Sequence, residues 1–141
     1  MGAILTGIVG KNVVRAGMEF EDANVAAAFA AFPAEVRVGL MGLRARIMAV
    51  ALAEGISLEE ALRWGQPAYL APKGSTIRLG VPKAGGFALY THCQTTLMSD
   101  FRALCPELSF EGNRAVLFAV GDKSPAAIDM LIRAALTYHQ A

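Results

Sequence analysis

Two stretches of strict two-residue alternation, close together in the chain, constrain the fold more than any other feature. In residues 76–82, Ile77, Leu79 and Val81 fall on one side and Thr76, Arg78 and Gly80 on the other. In residues 87–93, Phe87, Leu89, Thr91 and Cys93 alternate with Ala88, Tyr90 and His92. Successive side chains of a strand point to opposite faces, so this is the pattern of half-buried β-strands. Pro72-Lys73-Gly74 before them and Lys83-Ala84-Gly85-Gly86 between them are turn chemistry. Strands this near each other pair as an antiparallel meander, with one face on the core and the other free.

Helical patterns flank this sheet. Asp22-Ala23-Asn24 offers caps, and Val25, Ala28, Phe29 and Phe32 follow at helical spacing. After Pro33, the residues Val36, Leu40, Leu43, Ile47 and Val50 recur every three or four positions, with Arg37, Arg44 and Arg46 off that stripe. That predicts an amphipathic helix to about Glu54, closed by Gly55. Ser57-Leu58-Glu59-Glu60 has the form of a capping box and predicts a short helix ending near Arg63. Pro67 then turns the chain extended, and residues 68–71 form a short strand. Thr95 or Thr96 caps a helix that buries Leu97, Phe101 and Leu104 and stops at Pro106. Residues 108–111 and 114–120 predict a hairpin turning at Gly112-Asn113. Ser124-Pro125 predicts the start of a last helix with Ile128, Leu131, Ile132, Ala135 and Leu136 on one face, running to about His139. The order is α-βββ-α-ββ-α. It predicts an α+β fold with a single antiparallel sheet of about five strands and helices packed on one face.

A chain of 141 residues suits one domain with a real core. The hydrophobic fraction is 55%, above the usual ~45–50%. A net charge of +1 supplies no long-range field, so neither nucleic acid nor an acidic membrane is an expected partner. Residues 1–17 carry Ile4, Leu5, Ile8, Val9, Val13 and Val14, broken by Gly2, Gly7 and Gly10. This run is too short and interrupted to span a membrane, and its basic residues are misplaced for an export signal. It is expected to be an extension that packs on the domain or joins two copies as a homodimer, ahead of a single domain at 18–141. The alternative is that these are extra residues before a natural start at Met18. Cys93 and Cys105 match no metal or redox spacing. They are expected as reduced, small buried residues in a cytoplasmic protein.

Several blocks, in order, resemble the YdhG-like family, the domain of unknown function 1801. They are Trp64-Gly65-Gln66-Pro67-Ala68-Tyr69, Gly74-Ser75-Thr76-Ile77-Arg78-Leu79, His92-Cys93-Gln94-Thr95-Thr96-Leu97, Phe101-Arg102 and Phe110-Glu111-Gly112-Asn113-Arg114-Ala115. The similarity runs from about Ala23 to His139. It implies a frataxin-like arrangement, with helices on one face of an antiparallel sheet. It implies no agreed activity, although one relative is linked to intracellular iron delivery.

Strand parity supplies the candidate site. If Ile77, Leu79, Phe87 and Leu89 face the helices, Thr76, Arg78, Tyr90 and His92 lie on the free face. Trp64 and Tyr69 lead into the same strands, and Thr95 and Thr96 open a helix whose N-terminus suits an anion. Arg78, Arg102 and Arg114 offer charge-assisted bonds to a carboxylate or phosphate, although the parity of Arg114 leaves its facing open. The expected ligand set is therefore Trp64, Tyr69, Thr76, Arg78, Tyr90, His92, Thr95, Thr96 and Arg114. The plainer reading is that these groups serve turns and cross-strand pairs. His92 and Cys93 are adjacent on a strand and point apart, so no metal site is expected. No cofactor is implied, and no nucleophile–base pair stands out. Three readings follow: a domain binding a small molecule or anion on the open sheet face, an iron chaperone using Glu19, Glu21, Asp22 and Glu35, or an interaction and oligomer module.

Overall fold

The computed structural model describes residues 19–140, and the extension expected at 1–17 lies outside them. In chain order the described elements are α1 (Ala23–Ala31), α2 (Ala34–Glu54), β1 (Glu59–Arg63), β2 (Gln66–Leu70), β3 (Ile77–Gly80) and β4 (Phe87–Tyr90). They continue with α3 (Leu97–Leu104), β5 (Ser109–Glu111), β6 (Ala115–Phe118) and α4 (Ile128–Leu136). The strands form one open antiparallel sheet in the order β1-β2-β3-β4-β6-β5. The fold is α+β, as the alternation predicts, with one strand more than expected. No helix among the described residues is long and apolar enough to cross a membrane.

Cross-strand register fixes the two faces. Tyr69 lies opposite Ile77, Leu79 opposite Leu89, Leu89 opposite Val116, and Phe87 opposite Phe118. These side chains join Phe29, Leu40, Leu43, Ile47, Phe101 and Ile132 in the main core. On the other face, Ala68, Arg78, Tyr90 and Ala115 lie in register. Ala88, Tyr90 and Ala115 gather there with Leu117, with no helix residue among them.

The start of α1 is as expected: the Asp22 carboxylate accepts from the Asn24 and Val25 amides at 2.8 and 3.0 Å. Gly55, in the left-handed region at φ 68°, closes α2. The last helix differs. It begins at Ile128 with no side-chain cap, because the Ser124 hydroxyl instead accepts from Arg46 Nε at 3.0 Å.

The expected helix at 57–63 is a strand. Glu59–Arg63 pairs along its length with β2, from Glu59 opposite Leu70 to Arg63 opposite Gln66. Leu58 and Leu62 pack on the core, and Glu60 sits between them on the same face. Its carboxylate does not turn back to a helix start. It receives Arg44 Nε at 2.6 Å and Arg44 Nη2 at 2.9 Å, and the Tyr69 hydroxyl at 2.7 Å. Arg44, expected off the buried stripe of α2, is instead enclosed: its side chain is 1% exposed and that of Glu60 10%. Its Nη2 also donates to the Glu19 carbonyl at 2.9 Å, and its guanidinium carbon lies 4.0 Å from the centroid of Phe20. Burial alone lowers the Arg44 pKa, but Glu60 and then Tyr69 together outweigh it and the net shift is upward. Burial, with Glu60 beside it, pushes the Tyr69 hydroxyl far above the ordinary tyrosine range.

The Gly74-Ser75 block has a packing role. The Ser75 amide donates to the Ala135 carbonyl at 2.8 Å, and the His139 amide to the Lys73 carbonyl at 2.8 Å. The loop between β2 and β3 therefore holds the end of α4. A Cβ at Gly74 would stand 2.6 Å from the Leu136 carbonyl oxygen, so this close approach requires glycine.

Candidate functional site

The site starts at the tightest turn of the sheet. Arg63 pairs with Gln66, which leaves only Trp64 and Gly65 to join β1 and β2. Both have positive φ, 52° and 77°, as the mirror-image turn favoured in two-residue hairpins requires. Asparagine or glycine normally fills the first of these positions. A bulky side chain with positive φ is a backbone outlier that costs on the order of 1–3 kcal/mol. The turn holds the Trp64 side chain out at 84% exposure.

Beside Trp64 stands Arg78 from β3. Its guanidinium carbon lies 5.1 Å from the Trp64 ring centroid and 5.5 Å from that of Tyr90 on β4. Arg78 Nη1 donates to Gln66 Oε1. The Gln66 amide lies over Gly80, where a Cβ would collide with it. Beyond Tyr90, the Arg114 guanidinium carbon is 5.8 Å from the ring centroid. Arg114 is paired with Glu111, with Nε and Nη2 each 2.9 Å from Oε2. Rings and guanidinium groups thus alternate across the face: Trp64, Arg78, Tyr90, Arg114. The facing of Arg114, open from sequence, is settled by this contact. Tyr90 is 5% exposed; burial, then Glu111, raises its pKa.

Arg78 differs from Arg114, its neighbour across Tyr90, which has Glu111. Among the described residues Arg78 has no carboxylate partner, only the neutral amide of Gln66. Burial, then repulsion from Arg114, lowers its pKa, yet a guanidinium remains protonated at any ordinary pH. Its remaining N–H donors have no protein acceptor among the described residues. A guanidinium between ring faces with donors to spare has the chemistry to accept a carboxylate or phosphate.

The other predicted residues divide. Tyr69 is a correction: it is fully buried on the core face, bonded to Glu60, because its register partner is Ile77 and not Arg78. Thr76 is half-buried just ahead of β3. His92 is exposed, and its Nδ1 accepts from the Gln94 amide at 3.1 Å. The Thr95 hydroxyl donates to the His92 carbonyl at 2.8 Å and accepts from the Leu97 amide at 3.3 Å. The Thr96 carbonyl accepts from the Asp100 amide at 2.9 Å. These three belong to a self-satisfied turn into α3. Arg102 is drawn away, with Nη2 on the Gly112 carbonyl at 2.6 Å. Cys93, expected in the core, is exposed, since β4 ends at Tyr90 and the turn breaks the alternation; Cys105 is buried as expected.

Gln66 was missed as a site residue. Its face is decided by pairing: Ala68, two residues on, lies opposite Arg78, which puts Gln66 on the open face. Among the described residues no three His, Cys, Asp or Glu side chains are grouped as a metal site, and Asp22 of the acidic set is engaged as the α1 cap. No family model, curated protein or solved structure matches this chain.

Proposed function

We propose that the protein binds a small anion on its open sheet face, with Arg78 as the anchor. The observation that carries this reading is a half-buried guanidinium without a carboxylate, backed by a second arginine and held between two aromatic rings. Burying a cation is costly unless an anion accompanies it, and a ligand would supply the missing one. Trp64 is the only tryptophan and touches Arg78, so its fluorescence reports directly. Titration with inorganic phosphate and with acetate is expected to give a saturable change in emission. Arg78→Met should abolish it while leaving the circular dichroism spectrum unchanged. A wild-type protein with no saturable response to either anion removes this reading.

The resembling blocks support treating the chain as a YdhG-like domain. Asn113 Nδ2 donates to the carbonyls of Cys93 and Thr95 at 2.9 and 3.2 Å, and Arg102 donates to Gly112. Three blocks distant in sequence thus lock together as scaffold, and the anion anchor belongs to the other two.

A second reading, self-association, has its own observation. The outward face of α2 is Val38, Gly42, Ala45, Ala49 and Leu52, all exposed and none polar. A surface helix normally turns charge outward; one apolar all round is normally covered. About a two-fold axis at Ala45, Val38 meets the partner's Leu52 and Gly42 the partner's Ala49, bulky against bulky and small against small. Sedimentation should show a dimer that Ala45→Glu dissociates; a monomeric wild type ends this reading.

A further inference from the structure

The anion anchor does not account for Trp64. An arginine needs no exposed tryptophan to bind phosphate, and Gln66 and Tyr90 already hold Arg78 in place. Yet the largest side chain in the repertoire occupies a turn position where it is strained at φ 52° and 84% exposed. Strain of this kind persists where the residue has a task, and the inference runs from the observed outlier to that task. Trp64 has one ring face toward Arg78 and the other toward solvent. Indole faces stack well on planar rings.

We infer that the site selects an anion joined to a planar ring, with the ring stacked on the outer face of Trp64 and the anion on Arg78. This rests on the anion-binding reading and names its ligand class. The distance sets a further condition. The Arg78 guanidinium carbon is 5.1 Å from the Trp64 centroid on one side, and a stacked ring lies about 3.5–4 Å away on the other. The two recognition points are therefore separated by the thickness of the indole. Ring and anion must be joined by a flexible spacer that passes the indole edge. A mononucleotide has this shape, and so does an aryl-alkanoate. A carboxylate attached directly to the ring does not.

Calorimetry on the full chain with four probes tests this: adenosine 5′-monophosphate against ribose 5-phosphate, and 3-phenylpropionate against propionate. At least one ringed probe is expected to bind about tenfold or more tightly than its ringless counterpart, the usual scale of one stacking contact. The tighter ringed probe then assigns phosphate or carboxylate. Trp64→Asn should erase the gain, bringing each ringed probe down to the affinity of its ringless counterpart, and raise thermal stability, since asparagine tolerates the left-handed turn. Trp64→Phe should retain most of the gain. Equal affinity for ringed and ringless probes in the wild type overturns the ring selection while the anion reading stands. A gain that survives in Trp64→Asn overturns Trp64 as the platform. If none of the four binds, both readings fall.

Discussion

Two arginines, on opposite faces of one sheet, are served by the same hairpin and treated in opposite ways. Arg44 enters from α2 and meets Glu60 and Tyr69 of β1 and β2 on the core face. Arg78 stands on β3 and meets Trp64 and Gln66 of that hairpin on the open face. Each stacks on aromatic rings and each is partly or wholly withdrawn from water. Arg44 is given a carboxylate within the chain, and its pKa rises. Arg78 is given a neutral amide and a neighbouring cation, and its pKa falls. Arg44 draws its counter-charge from within the fold, whereas Arg78 has none among the described residues and keeps donors that an anion from outside could fill.

The largest way to break this contrast is Glu60→Gln. Removing one member of an enclosed ion pair costs about 3–5 kcal/mol, so the urea midpoint should fall sharply. Arg78→Met, with no pair to lose, should shift it by less than about 1 kcal/mol. Similar costs for the two would show that Arg78 is as structural as Arg44.

A smaller effect tests the core side by pH. The Tyr69 hydroxyl is held above its unfolded value of 10.0. The unfolded chain therefore loses that proton first. Stability linked to it is complete below about pH 10 and declines as pH rises beyond it. Tyr69→Phe should cost about 1.5–3 kcal/mol at neutral pH, as for a hydrogen bond to a charged group. Its denaturation midpoint should then fall less steeply than that of the wild type between about pH 9 and 11. Parallel curves would mean that Tyr69 ionises freely in the fold.

The smallest change in stability carries the sharpest meaning. Gln66→Glu gives Arg78 the carboxylate that Arg44 already has. For a partly exposed pair the gain is about 0.2–1 kcal/mol, while phosphate affinity should drop at least tenfold because the anchor is occupied from within. Unchanged phosphate binding in this variant, measured by Trp64 emission, would separate Arg78 from the anion.

Much of the sheet was legible because residues 76–82 and 87–93 alternate in parity and Gly112-Asn113 marks the turn of the β5–β6 hairpin. β1 was hidden by a charged residue on its core face. With Glu60 in that place and Ser57 three residues before it, the segment reads locally as a helix start. Only Arg44, 16 positions earlier, explains the carboxylate. Arg44 was hidden in the same way, since a charge beside a helical stripe reads as solvated until its partner is known. Arg78 and Tyr90 followed from parity alone. Tyr69 did not, because a short β2 flanked by Ala68 and Leu70 shows no alternation, and its face is decided by pairing with Ile77. The strain at Trp64 is a property of the hairpin, and the hairpin was not visible without β1.

The clasp between Ser75 and Ala135, and between Lys73 and His139, bears on how the chain is made. It ties a loop in the middle of the sheet to the last turn of the last helix, about 60 residues away. Contacts of such separation slow folding, since a long stretch must be ordered before they form. During synthesis the β2–β3 loop is complete well before its partner exists. The domain should therefore reach its native state only after α4 has cleared the ribosome, with the surfaces of α2 and β3 that α4 covers exposed in the interval. A nascent chain halted ahead of residue 128 should be degraded by protease, and one extended past residue 140 by a linker should resist it.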